Sequence, residues 1–221
     1  MHAVRRTLVQ AQAQRLALPL WPVELPWPCS NQNYEDLIKP VCERAVLEGI
    51  SAVAFGDLFL EDIRAYRERQ LRDTGLKPIF PVWHIPTREL ARDMINSGMK
   101  AALTCVDPRT LDASFAGRDF DSALLRDLPE GIDPCGENGE FHTFVYDSPQ
   151  FHSPIEVERG EVVARDGFIF ADLQPAPAAA DLQPRSAAAD LQPESALLPE
   201  SPLADPTPPA PCASPSGSSS S

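Results

Sequence analysis

Apolar positions in the first hundred residues alternate between a helical period and short unbroken runs. Val4, Leu8 and Ala11 form one stripe over residues 3–17, with Arg5, Arg6 and Gln12 on other faces, which predicts a helix. Leu18 to Leu25 is apolar but broken by prolines, which predicts an edge strand. Leu37, Ile38, Val41, Cys42 and Ala45 recur at helical spacing over 33–48, with Ser30 or Asn31 as the cap and Gly49 as the stop. Pro40 inside that span predicts a kink or a late start. Ile50 to Phe55 is a short apolar run followed at once by Gly56-Asp57, the pattern of a buried strand. A helix over 59–73 ends at Gly75, and Pro78 to Trp83 reads as a second strand. Thr87 caps a helix over 88–97 that faces Leu90, Met94 and Ile95 inward and ends at Gly98. Ala101 to Val106 is a third buried strand, closed by Asp107-Pro108.

Helices alternating with strands that are apolar on both faces predict an α/β fold with a parallel sheet. In such sheets ligands bind beyond the carboxyl ends of the strands, where Gly56-Asp57 and Asp107 fall. After residue 108 the pattern changes. A short helix over 119–128 precedes a strand from Phe141 and the runs Ile155–Arg159, Val162–Arg165 and Phe168–Ala171. Gly160 and Asp166-Gly167 read as hairpin turns between those runs. The expected organisation is an α/β domain over 1–108, a smaller α+β domain over 109–172 and a disordered tail over 173–221.

Composition sharpens this picture. The tail follows Phe170, the last aromatic residue, and holds 11 of the 24 prolines. It repeats ADLQP at Ala171–Pro175, Ala180–Pro184 and Ala189–Pro193, a duplication too poor in apolar residues to form a core. A partner-binding peptide is the alternative reading. The formal charge of −13 disfavours general binding to nucleic acid through its phosphates. Five cysteines without CxxC spacing suggest reduced thiols and a cytoplasmic address. No apolar run approaches the ~18 residues that span a bilayer, so no membrane association is expected.

The densest chemistry lies in Asp133 to Asp147, DPCGENGEFHTFVYD. Gly136 and Gly139 are set among Glu137, Asn138 and Glu140, and an alternating run follows, which reads as a glycine-rich loop feeding a strand. Glycine lets the backbone approach a ligand closely. Acidic and amide groups at that point can hold a metal, an amine, a ribose hydroxyl or an adenine edge. The plainer alternative is a tight turn with solvated carboxylates.

Three blocks resemble the diphthine–ammonia ligase family, also called the diphthamide synthase or ATP-binding domain 4 family. They are ISAVAFGDLFLEDIRAYRE, GMKAALTCVDPRTLDASFAGRDFD and GIDPCGENGEFHTFVYDSPQF, and the similarity runs from about residue 2 to 172. The resemblance implies an N-type ATP pyrophosphatase with an adenine-nucleotide α-hydrolase-like (Rossmann-like) fold. It implies ATP and Mg²⁺ as cofactors, adenylation of a carboxylate, and attack by ammonia to give an amide with release of AMP and pyrophosphate. The acceptor carboxylate would sit on a protein side chain. The family opens with a strand and a phosphate loop of the type SGGKDS, which these residues lack, and a truncated start is the expected explanation. Where the ligases carry a loop closer to GEGGE followed by an aromatic and Glu-Thr, this chain has Asn138 for the middle glycine and His142 for that glutamate. These changes suggest a variant branch with a different acceptor.

The resemblance implies that Gly56 and Asp57 approach the nucleotide, with Asp57 available to Mg²⁺ or a ribose hydroxyl. It sets Gly136, Glu137, Asn138, Gly139, Glu140, His142 and Thr143 on the facing wall. Glu140 would orient ammonia or take its proton, since an amine must be neutral to attack; His142 joins it as a catalytic candidate. Arg64, Arg67 and Arg118 are candidates for phosphate or carboxylate contact, because the guanidinium fork suits both. Each has a plainer counterpart. Glu137 and Glu140 could form a capping or salt-bridge pair, and His142 could be structural. Arg64 and Arg67 could belong to a solvated helix face, and Cys135 could be a buried thiol. A nucleotide-binding or interaction protein without turnover is the alternative function.

Overall fold

A computed structural model of the chain describes residues 4–26 and 28–176. Its core is organised by one strand. β3 (Lys100–Val106) is buried along its length after Lys100 and is one of the two inner members of a four-stranded antiparallel sheet. The sheet also contains β4 (Phe141–Asp147), β5 (Val157–Arg165) and β6 (Phe168–Pro175), in the order β4-β3-β6-β5. A separate two-stranded sheet pairs β1 (Ala52–Ala54) with β2 (Lys77–Ile79) in parallel. The fold is therefore a mixed α/β one, with its strands divided differently from the expected pattern. The run 101–106, expected as the third parallel strand, pairs antiparallel to β4 and β6.

The physical reason is that β3 is covered on both faces, so its sequence has no polar side to betray the pairing. Ala101 and Leu103 pack with Ala91 of α4 (Thr87–Asn96), with Phe120 and with Leu124 of α5 (Ser122–Asp127). Ala102 turns the other way, to Leu8, Phe144, Ile155 and Leu173. A register shift between Leu103 and Cys105 then returns Val106 to the first cluster.

Leu8 belongs to α1 (Arg6–Arg15), which lays the predicted stripe on the antiparallel sheet. Two polar ties fix the helix there. Arg5 donates from Nε and Nη2 to the Asp172 carboxylate at 2.9 and 2.6 Å. Gln12 donates to the Val145 carbonyl at 2.7 Å.

The segment 18–25 is not a strand. Prolines remove ladder donors, and Leu18, Leu20 and Leu25 are exposed. Trp21 holds it instead, packed on the third apolar cluster with the Arg44 guanidinium 3.9 Å from its ring centroid. α2 (Asn31–Leu47) starts under the Ser30 cap, whose hydroxyl accepts from the Asn33 amide at 3.1 Å, and runs through Pro40 without a late start. α3 (Glu61–Leu71) connects β1 to β2, and Pro81 converts the rest of the expected second strand into turns.

Gly160 is not a hairpin turn. β5 runs unbroken past it, with a bulge between Arg159 and Val162. A Cβ there would lie 2.9 Å from a carboxylate oxygen of Asp172 on the neighbouring strand, so the glycine lets that side chain lie close against β5. Asp166 and Gly167 do form the β5–β6 turn, both with positive φ (53° and 81°). The later ADLQP copies and the rest of the expected tail lie outside the described residues.

Leu8 is 0% exposed at the contact of α1 with the sheet. Leu8→Ala is expected to cost about 2–5 kcal/mol of unfolding free energy, measured by urea denaturation. Leu18→Ala, on the exposed segment, is expected to change stability by less than about 0.5 kcal/mol.

Candidate functional site

The loop from Asp133 to Glu140 is held by its own carboxylates. Glu140 is 4% exposed. Its Oε1 accepts from the Asp133 amide and from the Asn138 side-chain amide, both at 3.1 Å. Its carbonyl accepts from the Asp107 amide at 2.9 Å, which fastens the loop to the end of β3. Asp133 Oδ2 accepts from the Glu137 amide at 2.8 Å, and the Gly136 amide donates to the Asp133 carbonyl at 2.9 Å. Two turns are thus nested between a pair of acidic residues. Gly136 has φ +70°, and a Cβ there would lie 2.7 Å from the Phe141 carbonyl oxygen. Gly139 also has positive φ (+86°), but a Cβ would meet nothing within 4 Å.

Glu137 is the residue that reaches outward. Its Oε1 accepts from the Leu58 amide at 2.7 Å, so the loop touches the segment just beyond the carboxyl end of β1. Burial raises the Glu137 pKa. The Leu58 and Phe59 amides oppose that rise, while Asp57 and Asp133 add to it. Leu58 in turn accepts from the His84 amide at 2.8 Å through its carbonyl, so the segments after both parallel strands are tied together.

Asp57 lies beside this contact. Its carboxylate is 3.9 Å from Arg67 Nε, too long for a hydrogen bond. Both Asp57 Oδ2 and Arg67 Nε are buried without a hydrogen-bond partner, as is Glu140 Oε2. Unpaired buried polar atoms cost stability, and such a group at a strand end is suited to a ligand or a bridging water. These groups form no preformed metal cage. Among the described residues no three His, Cys, Asp or Glu side chains are grouped to hold a metal ion. Asp57 can contribute one oxygen, which matches the way Mg²⁺ is bound by few carboxylates plus phosphate and water.

The remaining candidates divide. Arg67 lies over Phe55, 5.1 Å from its centroid, within this region. Arg64 pairs with Glu68 at 2.9 Å and lies 4.7 Å from the centroids of Phe80 and Trp83, so its fork is partly engaged on its own helix. Arg118 pairs with Asp127 at 2.6 Å, and its guanidinium lies over Phe115. Its contacts include none of the loop residues. His142 is half-buried on β4, opposite Cys105, and its carbonyl accepts from the Thr104 hydroxyl at 3.3 Å. Thr143 is exposed opposite Leu103. Gly56 is exposed, with no atom within 4 Å of where a Cβ would stand. Cys135 is half-buried and donates to the Thr87 carbonyl at 3.3 Å. Burial, reinforced by Asp133 and Glu137, pushes its thiol up to about 12, so it is a protonated thiol at neutral pH and not a nucleophile. The network also recruits Asp133 and the Leu58 amide, which sequence reasoning missed. The Asp-Pro-x-Gly pattern at Asp133 was the available signal; a backbone amide carries none.

The geometry is that of an acid-rich bend docked just beyond the carboxyl end of a parallel strand in a mixed α/β protein. Comparison with known proteins shows what the chain is similar to. Residues 86–172 match the family model described as Diphthamide synthase C-terminal domain. The chain is 33% identical over 152 residues to the diphthine–ammonia ligase of Homo sapiens, a match covering 65% of this chain and 55% of that protein. It is 32% identical over 152 residues to the Bos taurus ligase, with the same shares. It is 28% identical over 178 residues to that of Schizosaccharomyces pombe, covering 73% of this chain and 29% of the relative. The resemblance to the diphthine–ammonia ligase family therefore holds, with residues 86–172 matching the model of the C-terminal domain. The chain spans about 55% of the length of the mammalian relatives it matches.

Gly136→Ala is expected to destabilise the fold more than Gly139→Ala, because only the first meets backbone. Gly139→Ala should cost about 1 kcal/mol from positive φ alone, and thermal unfolding of both variants checks the order. Glu137 carries a raised native pKa, so the native state holds its proton more tightly than the unfolded chain. Its contribution to stability is greatest below the ordinary value of 4.5 and declines as pH rises toward the higher native value. Glu137→Gln should remove that decline. Denaturation midpoints compared from pH 4 to 8 are expected to show wild type losing ground to the variant through that window and the difference then levelling.

Proposed function

We propose that the chain is part of an ATP-dependent ligase that converts a carboxylate and ammonia to an amide, with AMP and pyrophosphate as the other products. The observation that carries this reading is the 2.7 Å hydrogen bond from the Leu58 amide to Glu137. It brings an acid-rich loop of a diphthamide synthase C-terminal domain against the tip of β1, where α/β proteins seat nucleotides. The mammalian relatives carry the name diphthine–ammonia ligase. Asn138 and His142, which depart from the family loop, favour an acceptor other than diphthine, a carboxylate on a protein side chain.

In this reading residues 1–108 belong to an adenine-nucleotide α-hydrolase-like part and 109–172 supply the facing wall. Gly56 leaves room for the nucleotide to approach the backbone, and Asp57 is the carboxylate that would hold Mg²⁺, which when bound neutralises phosphate charge. Arg67, with its unpaired Nε, would donate to a phosphate or ribose oxygen. Arg64 and Arg118 are weaker anion contacts because their forks are already engaged. Glu140 divides its work: Oε1 holds Asn138 and the Asp133 amide, and the unpaired Oε2 orients ammonia or accepts its proton. Gly136 and Gly139 shape the loop, and His142 and Thr143 line its outgoing strand. A cytoplasmic setting suits these thiols. Among the described residues no helix is long and apolar enough to cross a membrane.

The test is incubation of the purified chain with ATP, Mg²⁺, ammonium and a desalted protein extract as the source of acceptor carboxylates, at varied pH, assayed for AMP and pyrophosphate above the extract-only background. The expected result is ammonium-dependent AMP formation, reduced about 10²-fold or more by Asp57→Asn and by Glu140→Gln, with circular dichroism confirming that both variants fold. ATP binding by equilibrium dialysis without any AMP formation would favour the alternative of a nucleotide-binding protein without turnover. Absence of both would overturn the proposal.

A further inference from the structure

On the flank of the antiparallel domain, α4 and α5 border a cavity of about 740 Å³. Three arginines line it: Arg88 and Arg92 from α4, and Arg126 from α5. All three are exposed, and among the described residues none is in an ion pair or a side-chain hydrogen bond. Many arginines elsewhere are paired, as in Arg5–Asp172, Arg44–Glu48 and Arg118–Asp127, although Arg69 and Arg72 are likewise in no ion pair among the described residues. In a chain of net charge −13, three unpaired guanidiniums around one depression stand against the composition.

Their positions also work against local stability. Arg88 sits in the first turn of α4, where the partial positive charge of the helix end repels a cation. That end has no side-chain cap, and Glu89 is the one acid of its first turn. Arg88 and Arg92 are four residues apart, so two like charges share one face. Between the arginines the lining is apolar. Leu125, Leu128 and Ile132 are partly buried on the core beneath, and Glu130 is the single acid in the lining.

We propose that this depression binds an acidic polypeptide segment in which carboxylates flank an apolar side chain. The guanidinium forks match carboxylates, and an apolar floor between them matches a leucine or phenylalanine better than it matches a sugar-phosphate backbone. The proposal rests on this lining alone and not on the ligase reading. Ile132 and Pro134, which line the depression, flank Asp133 of the glycine-acid loop, so a bound segment would lie beside that loop.

The probe is a short fluorescein-labelled peptide of alternating glutamate and leucine, titrated with the full chain by fluorescence anisotropy. Controls are the same peptide with serine for leucine and a single-stranded oligonucleotide of equal charge. The expected result is salt-sensitive binding, weakened about tenfold or more in the R88E/R92E variant and unchanged in R165E, whose arginine lies on β5. The serine peptide should bind more weakly. R88E alone should raise the melting temperature while weakening binding, because it relieves the helix end and the like-charge pair; a purely structural role would lower it. No binding of the peptide, equal binding by R88E/R92E, or tighter binding of the oligonucleotide would overturn the proposal.

Discussion

Everything described depends on β3 being buried on both faces at once. Its odd-numbered residues Ala101 and Leu103 meet α4 and α5, and its even-numbered Ala102 meets α1. The small side chains at 101 and 102 let the covering layers approach closely, and Leu103 fills the space that remains. With the strand fixed between two apolar layers, its carboxyl end is fixed too. That end presents the Asp107 amide to the Glu140 carbonyl. The acid-rich loop is therefore mounted on the most deeply buried element of the molecule, although most of its side chains lie at or near the surface. A site on rigid support keeps its geometry.

From β3 outward the order of support is legible. Glu140 locks the loop closed, Gly136 allows the turn that Glu140 closes, and Glu137 extends from the finished loop to the amide after β1. The first and last of these steps use a carboxylate as acceptor for a backbone amide, the strong form of neutral-donor hydrogen bond. The acids that give the loop its chemistry are the same groups that shape it. One carboxylate oxygen of Glu140 is nevertheless left buried without a partner, as are Asp57 Oδ2, Arg67 Nε and Gln70 Nε2.

How far the sequence carried this follows from the same physics. Helices announced themselves by period and stop signals: Gly49, Gly75 and Gly98 each end a helix or its last turn with positive φ. The run 101–106 was recognisable as a buried strand, but not its pairing, since double coverage erases the alternation that marks antiparallel sheets. Gly160 was legible as special and misread as a turn, because a glycine needed for close approach looks the same in one dimension as a glycine needed for a bend. Within the site, the glycine-acid loop and Asp57 stood out by density and by position. Their mutual contact did not, since it runs through a backbone amide of Leu58 that no side-chain pattern encodes. Arg118 drew attention as a fork for anions, and its engagement with Asp127 is visible only in three dimensions.

The two outer margins of the antiparallel sheet are treated in opposite ways. Along β4, the Val145 carbonyl is taken by Gln12 of α1 and the Tyr146 carbonyl by the Ile155 amide at 2.7 Å. Along β5, the bulge at Gly160 breaks the regular spacing of free amides, and Glu158, Arg159, Glu161 and Arg165 charge the rim around the exposed Val162 and Val163. A chain that must stay dispersed gains from this, because neither border offers a flat, uncharged template on which a second molecule could extend the ladder into a fibre.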